Sequence, residues 1–180
     1  MWTLEQAATD FNARSRAENW EQICDPTNRF AMPECTELIA LWRRAGPPHE
    51  LPRREALGPR SLKPYLSRLS LVEQVETAPP RFRFRLIGTN VTRTLRERTG
   101  RFFEEDATPA QIGRWTQASL ITLGARAPVR FMLMTEHLMV GEMLTLPLSD
   151  AAGEARFVLG YGRYEPTRDW SRPVEHVAAL

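Results

Sequence analysis

The segment Arg81-Phe82-Arg83-Phe84-Arg85-Leu86 alternates charged and apolar side chains without a break. A period of two puts Phe82, Phe84 and Leu86 on one side of the backbone only in an extended strand. The chain must therefore contain a sheet with a buried face. The preceding run, Leu69 to Glu76, also alternates, and Ala78-Pro79-Pro80 supplies a turn between the two. An antiparallel hairpin follows, in which Glu73 and Glu76 can neutralise the arginine stripe across the strands. Three more strands are expected over 128–136, 142–148 and 155–164, the last two joined by the loop Ser149-Asp150-Ala151-Ala152-Gly153-Glu154.

Helical signals surround these strands. Thr3 and Gln6 suit a capping box, and Leu4, Ala8, Phe11 and Ser15 recur at helical spacing, so a first helix is predicted from Thr3 to about Cys24. Pro33 at the start and Gly46 at the end bound a second helix with Cys35, Leu38, Ile39 and Trp42 on its apolar face. The prolines at 52, 59 and 64 leave room only for short turns. A short helix is expected through Val91 and Leu95. A longer one opens at Thr108-Pro109, carries Ile112, Trp115, Ser119, Leu120 and Leu123, and stops at Gly124. Two groups of strands around a helical insert predict an α+β fold, one antiparallel sheet with helices over one face. Residues 1–34 read as an N-terminal helical extension, 35–164 as the domain, and 165–180 as a C-terminal tail.

Much chemistry is excluded. The 24 basic and 22 acidic side chains leave a net charge of +2, so no global attraction to nucleic acid is expected. No apolar run approaches the roughly 20 residues of a membrane span. The first twenty residues lack the apolar centre of a signal peptide, which predicts a cytoplasmic protein. Cys24 and Cys35 lack metal-site spacing, and His49, His137 and His176 are scattered, so no metal site is expected. Gly160-Tyr161-Gly162 lies inside a strand and opens no helix, so it is not a nucleotide-binding loop. No catalytic residues are assigned.

The order of elements resembles the PAS fold. Trp42, Leu51-Pro52-Arg53-Arg54, Pro59, the run Phe82 to Thr89, Thr99-Gly100-Arg101, and Leu144-Thr145-Leu146-Pro147-Leu148 resemble the motifs of a family of small bacterial single-domain PAS-like proteins. The resemblance implies a PAS-like five-stranded sheet of order 2-1-5-4-3 and a sensory or regulatory role in signal transduction. Such proteins hold haem, flavin or a metabolite between sheet and helices. Here no cysteine follows Cys35, and 108–124 contains no histidine, so no cofactor is expected.

Two functions remain. The first is a non-catalytic regulator acting by protein–protein contact, with a signalling protein as partner and a homodimer as one assembly. Leu4, Phe11, Met132 and Met134 are its candidate interface residues. The second is a sensor of a small apolar or aromatic metabolite. Phe84, Leu86, Val91, Phe102, Ile112, Trp115, Phe131, Leu133, Leu146 and Leu159 either line its pocket or fill a packed core. No nucleic acid and no membrane insertion is expected.

Overall fold

The computed structural model describes residues 3–134 and 138–166. Helix α1 spans Leu4–Ala17, and the Thr3 hydroxyl accepts the Gln6 amide at 3.2 Å. It stops seven residues short of the sequence expectation. Asn19 and Glu21 turn the chain through the left-handed region, and Gln22–Asp25 forms strand β1. The helix itself satisfies that strand's free edge. Asn12 donates to the Cys24 carbonyl at 3.0 Å and accepts the Cys24 amide at 2.8 Å, while the Ser15 hydroxyl donates to the Gln22 carbonyl. Two polar helix side chains thus stand where a neighbouring strand would be.

Helix α2 covers Pro33–Arg44, a short α3 covers Pro59–Leu62, and β2 and β3 are Leu69–Thr77 and Pro80–Ile87. Then come α4, Thr89–Leu95, and α5, Pro109–Ala125. Strands β4, Val129–Met134, β5, Leu138–Ser149, and β6, Ala155–Pro166, complete the sheet. Its order is β1-β4-β5-β6-β2-β3, all antiparallel. The five strands expected from the sequence lie in the expected order, and β1 joins as a sixth beside β4. Residues 1–34 are therefore not only a helical extension, because β1 belongs to the sheet.

Helices cover both faces, not one. Leu38 and Trp42 of α2, with Leu51, Leu57 and Leu62, pack on Leu69, Leu144, Leu146, Leu148, Phe157, Leu159 and Tyr161. The Trp42 indole donates to the Pro147 carbonyl at 2.7 Å. Pro147 is tolerated within β5 because β4 pairs no further than Thr145, so Pro147 sits at a local edge. Opposite, α1 and α5 cover Val129 and Phe131, while Val91, Phe103 and Leu123 cover Val72, Phe82 and Phe84.

The hairpin carries a bulge that changes one expectation. Val72 opposes Phe84 but Leu71 opposes Leu86, so Arg85 is an extra residue and the alternation reverses after it. Ile87 is buried, whereas Leu86 is 38% exposed on the α2 side beside Leu71. The arginine stripe is neutralised as the pattern suggested. Arg83 meets Glu73 at 2.8 Å, Arg81 meets Glu76 at 3.0 Å, and Arg85 approaches Glu73 at 3.6 Å. The outer edge of β3 is closed by the segment after α4, where the Phe84 and Phe103 amides donate to the Arg101 and Phe82 carbonyls.

Candidate functional site

Thr108 and Gln111 form a capping box at the start of α5, with Pro109 in the first turn. That anchored helix lays Trp115, Ala118 and Ser119 over the middle of the sheet. The floor below them is built from small side chains: Ser70, Thr145, Gly160 and Gly162. A Cβ at Gly160 would lie 2.6 Å from the Ser70 hydroxyl oxygen, so any larger residue there would have to turn the Ser70 side chain aside. A helix over a floor without bulky side chains leaves a gap. It is a cavity of about 70 Å³, closed on the third side by Val91, Leu95, Phe84 and Phe103. A single water needs roughly 10–15 Å³ on a comparable measure, so the space takes several waters or one small molecule.

The walls are held firmly. Phe84, Phe103 and Trp115 touch one another with ring centroids 4.8 to 5.5 Å apart. The Thr122 and Thr145 hydroxyls meet at 2.7 Å and tie α5 to β5 beside the cavity. Arg98, itself buried, donates to the carbonyls of Leu95, Glu105 and Asp106 and lies over the Trp115 ring at 5.4 Å. These contacts fix the segment 95–106 as a wall rather than a loose loop.

Of the sequence-predicted pocket residues, Phe84, Val91 and Trp115 line the cavity. Leu146 and Leu159 belong to the α2 face instead, because β5 and β6 turn Thr145 and Gly160 toward the cavity. Leu86 is displaced to that same face by the bulge. Phe102 turns outward under the Arg81 guanidinium, 4.1 Å away, and its neighbour Phe103 takes the inner position. Ile112 is half-buried away from the lining. Phe131 packs on Phe11 at 5.3 Å under α1. The Leu133 side chain lies outside the described residues.

Sequence reading missed Ser70, Ser119, Thr145, Gly160 and Gly162. The signal was Gly160-Tyr161-Gly162, two glycines at alternate positions of one strand, which mark a face that something approaches closely.

Two of the expected interface residues, Leu4 and Phe11, turn toward the core. Phe11 is buried against Trp20 and Phe131, and Leu4 packs on the same cluster. The apolar face of α1 is consumed in covering β1 and β4. Met132 is half-buried where its strand pairs with Ile23, and the side chain of Met134 lies outside the described residues. His137, His176 and the tail beyond Pro166 also lie outside them.

A second buried polar cluster sits on the α2 side. Arg130, 1% exposed, pairs with Asp25 and with Glu142, the latter at 2.6 Å. Glu142 also accepts the Ala31 and Met32 amides at 2.6 and 2.8 Å. This cluster staples the segment leading into α2 onto the sheet. Burial, helped by Asp25, pushes the Cys24 thiol up to about 12, and burial with Glu142 does the same for Cys35. Both are inert thiols at neutral pH, and neither lines the cavity. Among the described residues, no group of three His, Cys, Asp or Glu side chains could hold a metal ion.

The chain thus pairs an antiparallel sheet with helices on both faces and a cavity under one of them. The family described as PAS domain matches residues 31–162, and the chain belongs to it. No curated protein matches. Among solved structures, an RNA-binding Light-Oxygen-Voltage receptor is similar over 98% of this chain and 57% of that chain, with 18% identity and a TM-score of 0.36. This chain thus spans little more than half the length of that structure. No described helix is long and apolar enough to cross a membrane.

Proposed function

We propose that this PAS domain is a non-catalytic sensor of a small molecule held in the cavity between α5 and the sheet, reporting its occupancy to a signalling protein by direct contact. The cavity itself carries the reading. It lies over a floor of glycine and hydroxyl side chains, with α5 held above it. A purely adaptor role would be served by a packed core and an exposed apolar patch. Among the described residues, Leu86 is the one large apolar side chain well exposed, which favours the sensor.

Native mass spectrometry of the protein purified from its own host, beside its denatured mass, tests this. The expected result is an added mass lost on denaturation, and a melting temperature raised by that molecule; at a hundredfold excess over Kd the gain is about 2.7 kcal/mol. A bare chain whose melting is unmoved by any member of a small-molecule collection would overturn the proposal.

A further inference from the structure

The walls of the cavity differ in how firmly they are held. Helix α5 is fixed by its capping box and by the Thr122–Thr145 contact, and Phe103 is locked between Phe84 and Trp115. Helix α4 contributes Val91 and Leu95 to the lining, and its seven residues are too few for a helix stable on its own. The side-chain hydrogen bond that ties it to another element, Asn90 to Ser67, is 3.5 Å long. At its C-terminal end Arg96 has φ +61° and ψ 176°, a backbone region essentially confined to glycine. Such a conformation persists only where the surroundings impose it. The Arg96 side chain is exposed, so no packing of its own accounts for it. The imposing contact is Arg98, whose Nε donates to the Leu95 carbonyl at 2.8 Å while Nη1 and Nη2 hold the Glu105 and Asp106 carbonyls, both at 2.6 Å. The other end of α4 is a fixed pivot. The Gly88 amide donates to the Leu69 carbonyl at 2.7 Å, and the chain there packs too closely on Leu66 and Ser67 to admit a Cβ.

We infer, resting on the sensor reading above, that α4 is the gate of the cavity, turning about Gly88 and biased toward opening by the strained backbone at Arg96. Opening breaks the hydrogen bond from Arg98 to the Leu95 carbonyl, lets Arg96 relax to an ordinary conformation, and takes Val91 and Leu95 out of the lining. Arg98 stays bound to Glu105 and Asp106, so the wall beyond it and the Phe84–Phe103–Trp115 cluster keep their place. The closed gate is held by the burial of Val91 and Leu95 and opposed by the strain at Arg96. Two terms of opposite sign make opening a local event that leaves the sheet folded.

Amide hydrogen exchange of the full chain, compared with Arg96→Gly and Arg96→Ala, tests the gate without any knowledge of the ligand. In the native chain the amides of residues 92–95 should exchange at least about tenfold faster than those in the middle of α5. Glycine adopts the Arg96 conformation without strain, so Arg96→Gly should keep the gate closed longer and slow exchange at 92–95 by about tenfold, with α5 unchanged. Alanine keeps a Cβ and with it the strain, so Arg96→Ala should exchange as the native chain does. Xenon serves as a guest of no particular chemistry. Its entry, followed at the Gly160 and Gly162 amides, should slow in Arg96→Gly by a similar factor. Equal exchange at 92–95 in the native chain and Arg96→Gly, the same slowing in Arg96→Ala, or xenon entry that is unchanged or absent would overturn the inference. The native mass of the protein bears on the sensor reading alone: a bare chain would remove that reading, while the exchange rates would still decide whether α4 opens.

Discussion

Replacing Arg130 by Met tests how the buried charge cluster holds the segment before α2. Arg130 is 1% exposed, and its side chain reaches Asp25 on β1 and Glu142 on β5. Removing it leaves two carboxylates facing each other with no cation between them. Breaking a buried pair in this way costs about 3–5 kcal/mol, because the remaining charge is uncompensated. Glu142→Gln should cost less. The Arg130–Asp25 pair survives, and one carboxamide oxygen still accepts from the chain. The amide nitrogen then opposes one of the Ala31 and Met32 N–H groups, so about 1–3 kcal/mol is lost. Urea unfolding separates the two. With a slope of about 2 kcal/mol/M, Arg130→Met should lower the midpoint by roughly 2 M and Glu142→Gln by roughly 1 M. The double variant Arg130→Met with Glu142→Leu should recover little of the loss, because Asp25 stays without its cation and the Ala31 and Met32 amides lose their acceptor. A midpoint change under about 0.5 M for Arg130→Met at constant slope, or a larger loss for Glu142→Gln, would refute the reasoning.

Other perturbations act elsewhere in the molecule. Gly88→Ala places a Cβ 2.2 Å from the Leu66 carbonyl oxygen and 2.6 Å from backbone atoms of Ser67, so a loss above about 3 kcal/mol is expected; a melting temperature unchanged within error would contradict it. Asn12→Ala removes both hydrogen bonds to Cys24 on β1 and should cost about 1–3 kcal/mol. Hydrogen exchange should show the Cys24 amide opening faster while β2 and β3 stay protected. At Asp25, burial pushes the carboxyl up, but the Thr27 amide and hydroxyl and the Arg130 guanidinium outweigh it and hold the carboxyl below its usual range. The folded protein therefore binds fewer protons there than the unfolded chain. That contribution is present above about pH 3.9 and is lost as pH falls through the lower folded value. Asp25→Asn should flatten this part of the acid unfolding curve; an unchanged profile would count against it.

The local rules of backbone and side chain were readable in the chain itself. The alternation at 81–86 declared a strand, Pro33 and Gly46 bracketed α2, and Thr108-Pro109 opened α5 with its capping box. These signals act within one or two turns or strand pairs, so they survive without knowledge of the rest of the molecule. The four residues of β1 are too few to show a period, and their edge is satisfied by Asn12 and Ser15 from a different element. Likewise, alternation along β5 and β6 shows that Leu146 and Thr145 face opposite ways, but not which face has the cavity. With helices on both sides, the more apolar face is the packed one under α2, and the cavity lies where small side chains leave room. The bulge at Arg85 has the same character, because it exists only in the register of β3 against β2. Composition and pattern determined which segments are strands and helices. Which faces meet, and where a gap is left between them, was decided by packing among residues far apart in sequence, since a cavity is defined by several surfaces at once and by no single segment.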